Sequence, residues 1–242
     1  MTNISKLAAR AWDSATELGL RRSLQTLLSM IDDVFFDLRL GTDMRAAIPQ
    51  SRLRVLSPEN QADAKPYVMT RARALRHAFR MSPAPRQLRF NDIGCGKGKV
   101  VIVAAMSGFT DVRGLDFAPQ LIDIAERNLD AMKNRLPKDA HVRVERADVT
   151  QAEYSPRDCV FFLYNPFGAD VMRGFCEQLG RSLDRHPRNI WLIYADPAFL
   201  PVMLQYLPVQ EKSRSKYGGY EFVYLENCPQ VTATACYGLS EG

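Results

Sequence analysis

The chain has 242 residues, 46% of them apolar, with a formal net charge of +5. That length buries one large core, and no apolar run approaches the roughly 18–20 residues that a membrane span needs. Five cysteines without a C-x-x-C pair and three scattered histidines offer no zinc-ligand set, so the composition points to a reduced, cytoplasmic, metal-free protein.

The first residues carry Asp13 and Glu17 and no apolar block before a small-residue cleavage site, which argues against a secretory signal. Residues 4–40 repeat apolar positions at three- and four-residue steps (Leu24, Leu27, Leu28, Ile31, Val34, Phe35, Leu38), a helical period that Gly41 stops. A less regular stretch with Pro49, Pro58 and Pro66 follows. Residues 67–80 then predict an amphipathic helix, with Val68, Ala72, Leu75 and Phe79 on one face and Arg73, Arg76 and Arg80 on another. Ser82-Pro83-Ala84-Pro85 ends it.

The charge is uneven. Residues 1–90 hold 15 Lys+Arg against 8 Asp+Glu, and residues 91–242 hold 17 against 19. The excess suits an anionic partner such as nucleic acid, a phosphorylated metabolite or an acidic protein surface; the plainer reading is a solvated helix face. No nucleic-acid-binding motif accompanies the arginine row.

From residue 88 onward short apolar strands alternate with helices. Strands are predicted at 88–93, 111–117, 141–148, 159–165 and 189–196, with helices at 99–108, 119–136 and 169–186. Segments 208–215 and 220–227, joined through Lys216-Tyr217-Gly218-Gly219, read as a hairpin. The pattern predicts an α/β fold: a doubly wound, Rossmann-like, mostly parallel seven-stranded sheet with an antiparallel C-terminal hairpin. Residues 1–85 form an N-terminal helical cap, and 86–242 the sheet domain.

Between the first strand and the first helix of that domain lies FNDIGCGKGK (90–99), with Asp92, Gly94, Gly96 and Gly98 at alternate positions. Such a turn lets a polar ligand approach bare backbone and the free N–H groups of the next helix; a tight turn without a ligand is the alternative. The dinucleotide fingerprint G-x-G-x-x-G fails, because Lys99 stands where the third glycine belongs, and Val100 rules out a P-loop. Asp116, 22 residues beyond Gly94, closes the second strand and is placed to accept hydrogen bonds from a ribose diol.

With these motifs in order, the segment from about 88 to 227 resembles a class I S-adenosylmethionine-dependent methyltransferase. The resemblance rests on FNDIGCGKGK, RGLDFAPQ (113–120), RADVT (146–150) and LYNPFG (163–168). It implies S-adenosylmethionine as cofactor, with Asp92 at the methionine moiety and Gly94, Cys95, Gly96 and Gly98 packed on it. Asp116 is implied at the ribose, Phe117 beside the adenine, and Ala147 and Asp148 at the adenine edge. FDLRLGTD (36–43), the tyrosine at 67 and the GCGKGK and NPFG pair further resemble a bacterial group of methyltransferases whose substrate is poorly defined. In this class the segment ahead of the first strand lids the pocket, which makes Tyr67 a candidate lid residue, with ordinary packing as its alternative, and places Arg71 near the cofactor.

In relatives acting on nitrogen, an [ND]-P-P-[FY] loop follows the fourth strand; the Asn orients the target nitrogen and the aromatic stacks on a planar acceptor. Asn165, Pro166 and Phe167 fill this position one proline short, so Asn165 is read as catalytic and cofactor-adjacent, or as part of a turn. Asp196, ending the fifth strand, reads as a base or, more simply, as a helix N-cap. Methyl transfer to nitrogen on a protein or small molecule is the leading expectation. O-methylation of a small metabolite, or a non-catalytic cofactor-binding module acting through its basic helices, are the alternatives.

Overall fold

The computed structural model describes residues 41–44 and 70–227, with the isolated helical positions Leu28 and Ile31. The rest of the 4–40 helix, the proline-bearing stretch, Tyr67, Cys228 and Cys236 lie outside the described residues. Gly41 has φ 67, a conformation suited to ending a helix.

Strands β1 (Arg89–Ile93), β2 (Asp111–Asp116), β3 (His141–Arg146), β4 (Asp158–Leu163), β5 (Trp191–Ala195), β6 (Val209–Tyr217) and β7 (Tyr220–Asn227) form one sheet. Their order is β3-β2-β1-β4-β5-β7-β6. The first five run parallel, and β7 is antiparallel to both β5 and β6. The chain starts mid-sheet, builds outward through β2 and β3, then returns to the other side of β1. That reversal places a crevice at the carboxyl ends of β1 and β4.

Five helices cover the faces: α1 (Ala72–Met81), α2 (Lys99–Met106), α3 (Pro119–Met132), α4 (Ala169–Arg185) and α5 (Leu200–Tyr206). Successive strand residues point to opposite faces. On β4, Phe162 therefore joins the core under α1 and α2, and Phe161 the core under α4 and α5. Phe79 of α1 meets Phe90, Phe109 and Phe162 edge-on at 5.3–5.9 Å, which seats the amphipathic helix on the sheet. Helix α2 is buried from Lys99 to Ala105, as an all-round apolar helix must be. Edge strand β6 is exposed along most of its length and carries Lys212, Arg214 and Lys216, charges that discourage further strand pairing.

All seven predicted strands are present; two predicted helices have an end displaced by four residues or more, and one helix is new. Helix α1 begins at Ala72 rather than 67, with Arg71 in extended conformation as its N-cap. Helix α3 ends at Met132 rather than 136, and α5 was not anticipated. α5 is one short apolar segment with proline in its first turn, too brief to show a helical period. Cys95, Cys159 and Cys176 are free and buried. Among the described residues no helix is long and apolar enough to cross a membrane, and no His/Cys/Asp/Glu group could hold a metal ion.

Candidate active site

The turn after β1 is fixed at both ends. The N–H groups of Gly94 and Cys95 donate to Leu115 O at 2.8 and 2.9 Å, binding the turn to the end of β2. Gly94 has φ +78, and a Cβ there would lie 2.3 Å from Cβ of Pro166. Bare backbone at 94 is thus what lets the loop after β4 close on the loop after β1. Cys95 turns its thiol into the core, within 2.9 Å of where a Cβ on Gly114 would sit, so only its backbone is available to a ligand.

Two buried carboxylates stand at the crevice. Asp116 is 5% exposed; Oδ2 accepts Gly96 N–H and Oδ1 accepts Ala118 N–H, each at 2.9 Å. Two backbone donors meet this carboxylate at 2.9 Å and a third, the Phe117 N–H, acts on it as well, which still leaves acceptor capacity that a ribose diol can use. Burial pushes the Asp116 pKa up to about 6 against the opposing pull of these N–H groups. Asp92 is 2% exposed, and its Oδ2 has no hydrogen-bond partner among the described residues. Burial, and then the neighbouring Asp116, hold the Asp92 carboxyl well above its usual range. A buried acceptor without a donor is costly unless a ligand supplies one. A ligand bearing an ammonium and a ribose diol fits this pair.

Around them, Phe117 is half-buried and packs on Ala118 and Leu121. Ala147 donates its N–H to Asp116 O at 2.9 Å. Asp148 Oδ1 accepts the Thr150 N–H at 2.9 Å and the Thr150 hydroxyl at 2.7 Å, closing a local turn after β3. The structure therefore gathers Asp92, Gly94, Gly96, Gly98, Asp116, Phe117, Ala147 and Asp148 at the ends of three adjacent strands. Arg71 lies close enough to the Tyr164 hydroxyl to act on its charge.

The loop after β4 is held differently from the sequence expectation. Asn165 has φ 39, and its Oδ1 accepts the Tyr194 hydroxyl at 2.8 Å and the Ala198 N–H at 3.2 Å. Its Nδ2 donates to Asp196 O. The side chain thus clasps the β4 loop to the β5 loop, and both acceptor positions of its oxygen are occupied. Phe167 is only 4% exposed and sits in the core beside α4, so its ring is not presented for stacking on an acceptor. Asp196, also at φ 44, caps no helix: α5 starts after Phe199, and Asp196 Oδ1 accepts Glu221 N–H at 2.8 Å.

Sequence reasoning missed one tie to the glycine loop. Lys97 is 1% exposed, and its Nζ donates to Asp43 Oδ1 at 3.0 Å. Asn128 of α3 reinforces this, donating to Lys97 O at 2.9 Å and accepting Asp43 N–H at 2.9 Å. The available signal was a lysine inside a buried turn, which needs a counter-charge from elsewhere. Asn128→Ala should cost about 1–3 kcal/mol by leaving these groups unpaired. An unchanged urea midpoint would show that the tie contributes nothing.

Residues 91–187 match the family model of a methyltransferase domain. No curated protein matches the chain. Among solved structures, it is similar to a ribosomal protein L11 methylase from Lactobacillus delbrueckii subsp. bulgaricus, at 16% identity, TM-score 0.45, over 64% of this chain and 77% of that one. It is also similar to a Pyrococcus abyssi tRNA (uracil-54, C5)-methyltransferase in complex with S-adenosyl-L-homocysteine, at 18% identity and TM-score 0.50. That likeness covers 66% of this chain and 40% of the Pyrococcus protein's own length. An RNA methyltransferase from Salinibacter ruber, again with S-adenosyl-L-homocysteine, is similar at 18% identity and TM-score 0.50, over 69% of this chain and 97% of that one. The domain match marks a methyltransferase, a class whose methyl donor is S-adenosylmethionine, and the likeness to solved structures shows its Rossmann-like fold. With 946 solved chains matching, the fold does not select an acceptor.

Proposed function

We propose that this chain transfers a methyl group from S-adenosylmethionine to a nitrogen acceptor on a small molecule or a protein side chain. Residues 86–242 form the transfer domain and residues 1–85 its cap. Asp92 takes the ammonium of the cofactor, Asp116 its ribose diol, and the turn at 94–98 its methionine backbone. Bound cofactor supplies a methyl already activated on a sulfonium, so the protein's task is mainly alignment.

The observation that carries this reading is the loop Asn165-Pro166-Phe167-Gly168, which packs on Gly94 at one side and clasps Asp196 at the other. It stands between the cofactor turn and the end of β5. The carbonyls of Asn165 and Pro166 enter no hydrogen bond among the described residues, which leaves two acceptors for a target N–H. Asn165 acts here by fixing the loop through its side chain. Pro166 adds no competing N–H.

Asn165→Ala should lower turnover about 10–100-fold, because sub-ångström misplacement of an acceptor is costly, while affinity for S-adenosylhomocysteine stays within about threefold. Methyl-labelled cofactor and fractionated cell extract supply the assay, with mass spectrometry locating the methyl on nitrogen or oxygen. Full turnover in the variant, or methyl recovered on oxygen or carbon, overturns the assignment.

A further inference from the structure

A recess of about 290 Å³ lies beside the β4 loop, between Asp196 and the β6–β7 turn, lined by Asp196, Tyr217, Tyr220 and Glu221 among others. None of the four motifs assigns these residues. The walls are firm. Tyr217 stacks on His77 of α1 with ring centroids 4.9 Å apart, and Tyr220 meets Tyr164 at 5.7 Å and stacks on Phe222 at 6.1 Å. Asp196 and Glu221 exchange two hydrogen bonds, Asp196 N–H to Glu221 O at 2.7 Å and Glu221 N–H to Asp196 Oδ1 at 2.8 Å.

The recess adjoins the β4 loop through Asp196, whose carbonyl accepts from Asn165 Nδ2. Asn165 and Asp196, the two non-glycine residues at positive φ among those described, are hydrogen-bonded to each other. Such backbone is held only where its surroundings enforce it, and it gathers at functional sites. One contact series therefore runs from Gly94 through Pro166 and Asn165 to Asp196 and the hairpin turn.

The charges in the recess are not equivalent. Glu221 is paired with Arg214 at 3.1 Å, and Lys216 is 68% exposed, 4.0 Å from Glu221. Asp196 faces neutral donors: the Glu221 N–H and the Tyr164 hydroxyl, which burial first, then Tyr220 and Asp196, keep protonated up to about 12. A half-buried carboxylate in a recess lined by two tyrosines holds an ammonium by charge, and a ring face turned to it adds cation–π attraction. Lys216, which also lines the recess, lies at its Glu221 edge, 4.0 Å from that carboxylate. The volume lies at the lower end for ligand sites and admits a single amine-bearing chain.

We propose that this recess binds the methyl acceptor, an alkylamine held as its ammonium, with Asp196 as counter-ion and the Tyr217 and Tyr220 rings as walls. The ammonium passes one proton to the Asp196 carboxylate and on to water, and the freed lone pair forms the N–C bond as the S–C bond breaks and the sulfonium leaves as a thioether. The inference rests on the methyl-transfer reading above. Its test is binding. Protein saturated with S-adenosylhomocysteine is titrated calorimetrically with spermidine, with a lysine-containing peptide and with a mononucleotide. At least one amine should bind, more weakly as salt rises, and the arm that binds tells a free amine from a protein side chain. Asp196→Asn keeps the shape, tolerates the left-handed backbone and still accepts the Glu221 N–H; it should weaken amine binding at least tenfold. Tyr220→Leu should weaken it several-fold, and neither variant should change affinity for S-adenosylhomocysteine. Amine binding that is absent, or equal in Asp196→Asn and wild type, overturns the inference, as does preference for the mononucleotide. With S-adenosylhomocysteine still bound, those results leave the methyl-transfer reading standing; its failure to bind removes both.

Discussion

Asp116→Asn is expected to lower affinity for S-adenosylhomocysteine at least ~100-fold while leaving the fold intact. Two charge-assisted hydrogen bonds to a diol are worth about 1.5–3 kcal/mol each, which sets that scale. Asparagine keeps the shape and one acceptor oxygen at the end of β2; the backbone N–H it leaves unpaired is offset by the loss of a buried charge. Burial raises the Asp116 pKa from 3.8 to about 6, so the folded state holds its proton more tightly than the unfolded chain does. Stability contributed by this group is therefore greatest below pH 4 and is lost as pH rises from about 4 to about 6, by roughly 3 kcal/mol in all.

Binding has the opposite sign, since a diol needs the carboxylate. Affinity for S-adenosylhomocysteine should be flat above pH 7 and fall toward tenfold per pH unit below about 6. Calorimetry across that range, with urea titrations of the ligand-free protein, checks both trends. A variant that binds as tightly as wild type would show that Asp116 serves only to hold the Gly96 and Ala118 backbone.

Gly94→Ala is the second large effect. The new methyl would lie 2.3 Å from Pro166 Cβ and 3.2 Å from Pro166 Cγ, at φ +78. Left-handed backbone costs an L-residue about 1–2 kcal/mol, and forcing a methyl into filled space about 1–3 more. Either the β1 turn or the β4 loop must retreat, and each carries part of the site, so cofactor binding and turnover should fall together. Gly108→Ala is the control: φ is +95, but a Cβ there meets nothing within 4 Å, so only the backbone cost remains. Equal destabilisation of the two variants in urea would show that Pro166 yields freely. The two loops would then be independent.

The glycine turn, both carboxylates and the strand that delivers each were legible because they depend on local rules. A strand's apolar run, a glycine's freedom and an acid at a strand end are properties of a few consecutive residues. The Asn165 clasp was not, since its partners Tyr194, Asp196 and Ala198 stand 29–33 residues away. Nor was the Lys97–Asp43 pair, 54 residues apart. Phe167, displaced by one residue from the stacking position of the [ND]-P-P-[FY] loop, lies in the core, which only the packing beside α4 reveals.

By itself the sequence determined the parallel sheet with its closing hairpin, the glycine turn and the two acids beside it, since periodicity and backbone preference act over short range. Only the tertiary structure decided which polar groups are already used and which stay open: Asn165 committed to β5, the second oxygen of Asp92 left without a partner among the described residues, and Asp196 turned to the hairpin. Hydrogen-bond capacity is allotted between segments distant in the chain, and that allotment exists only once the strands are side by side.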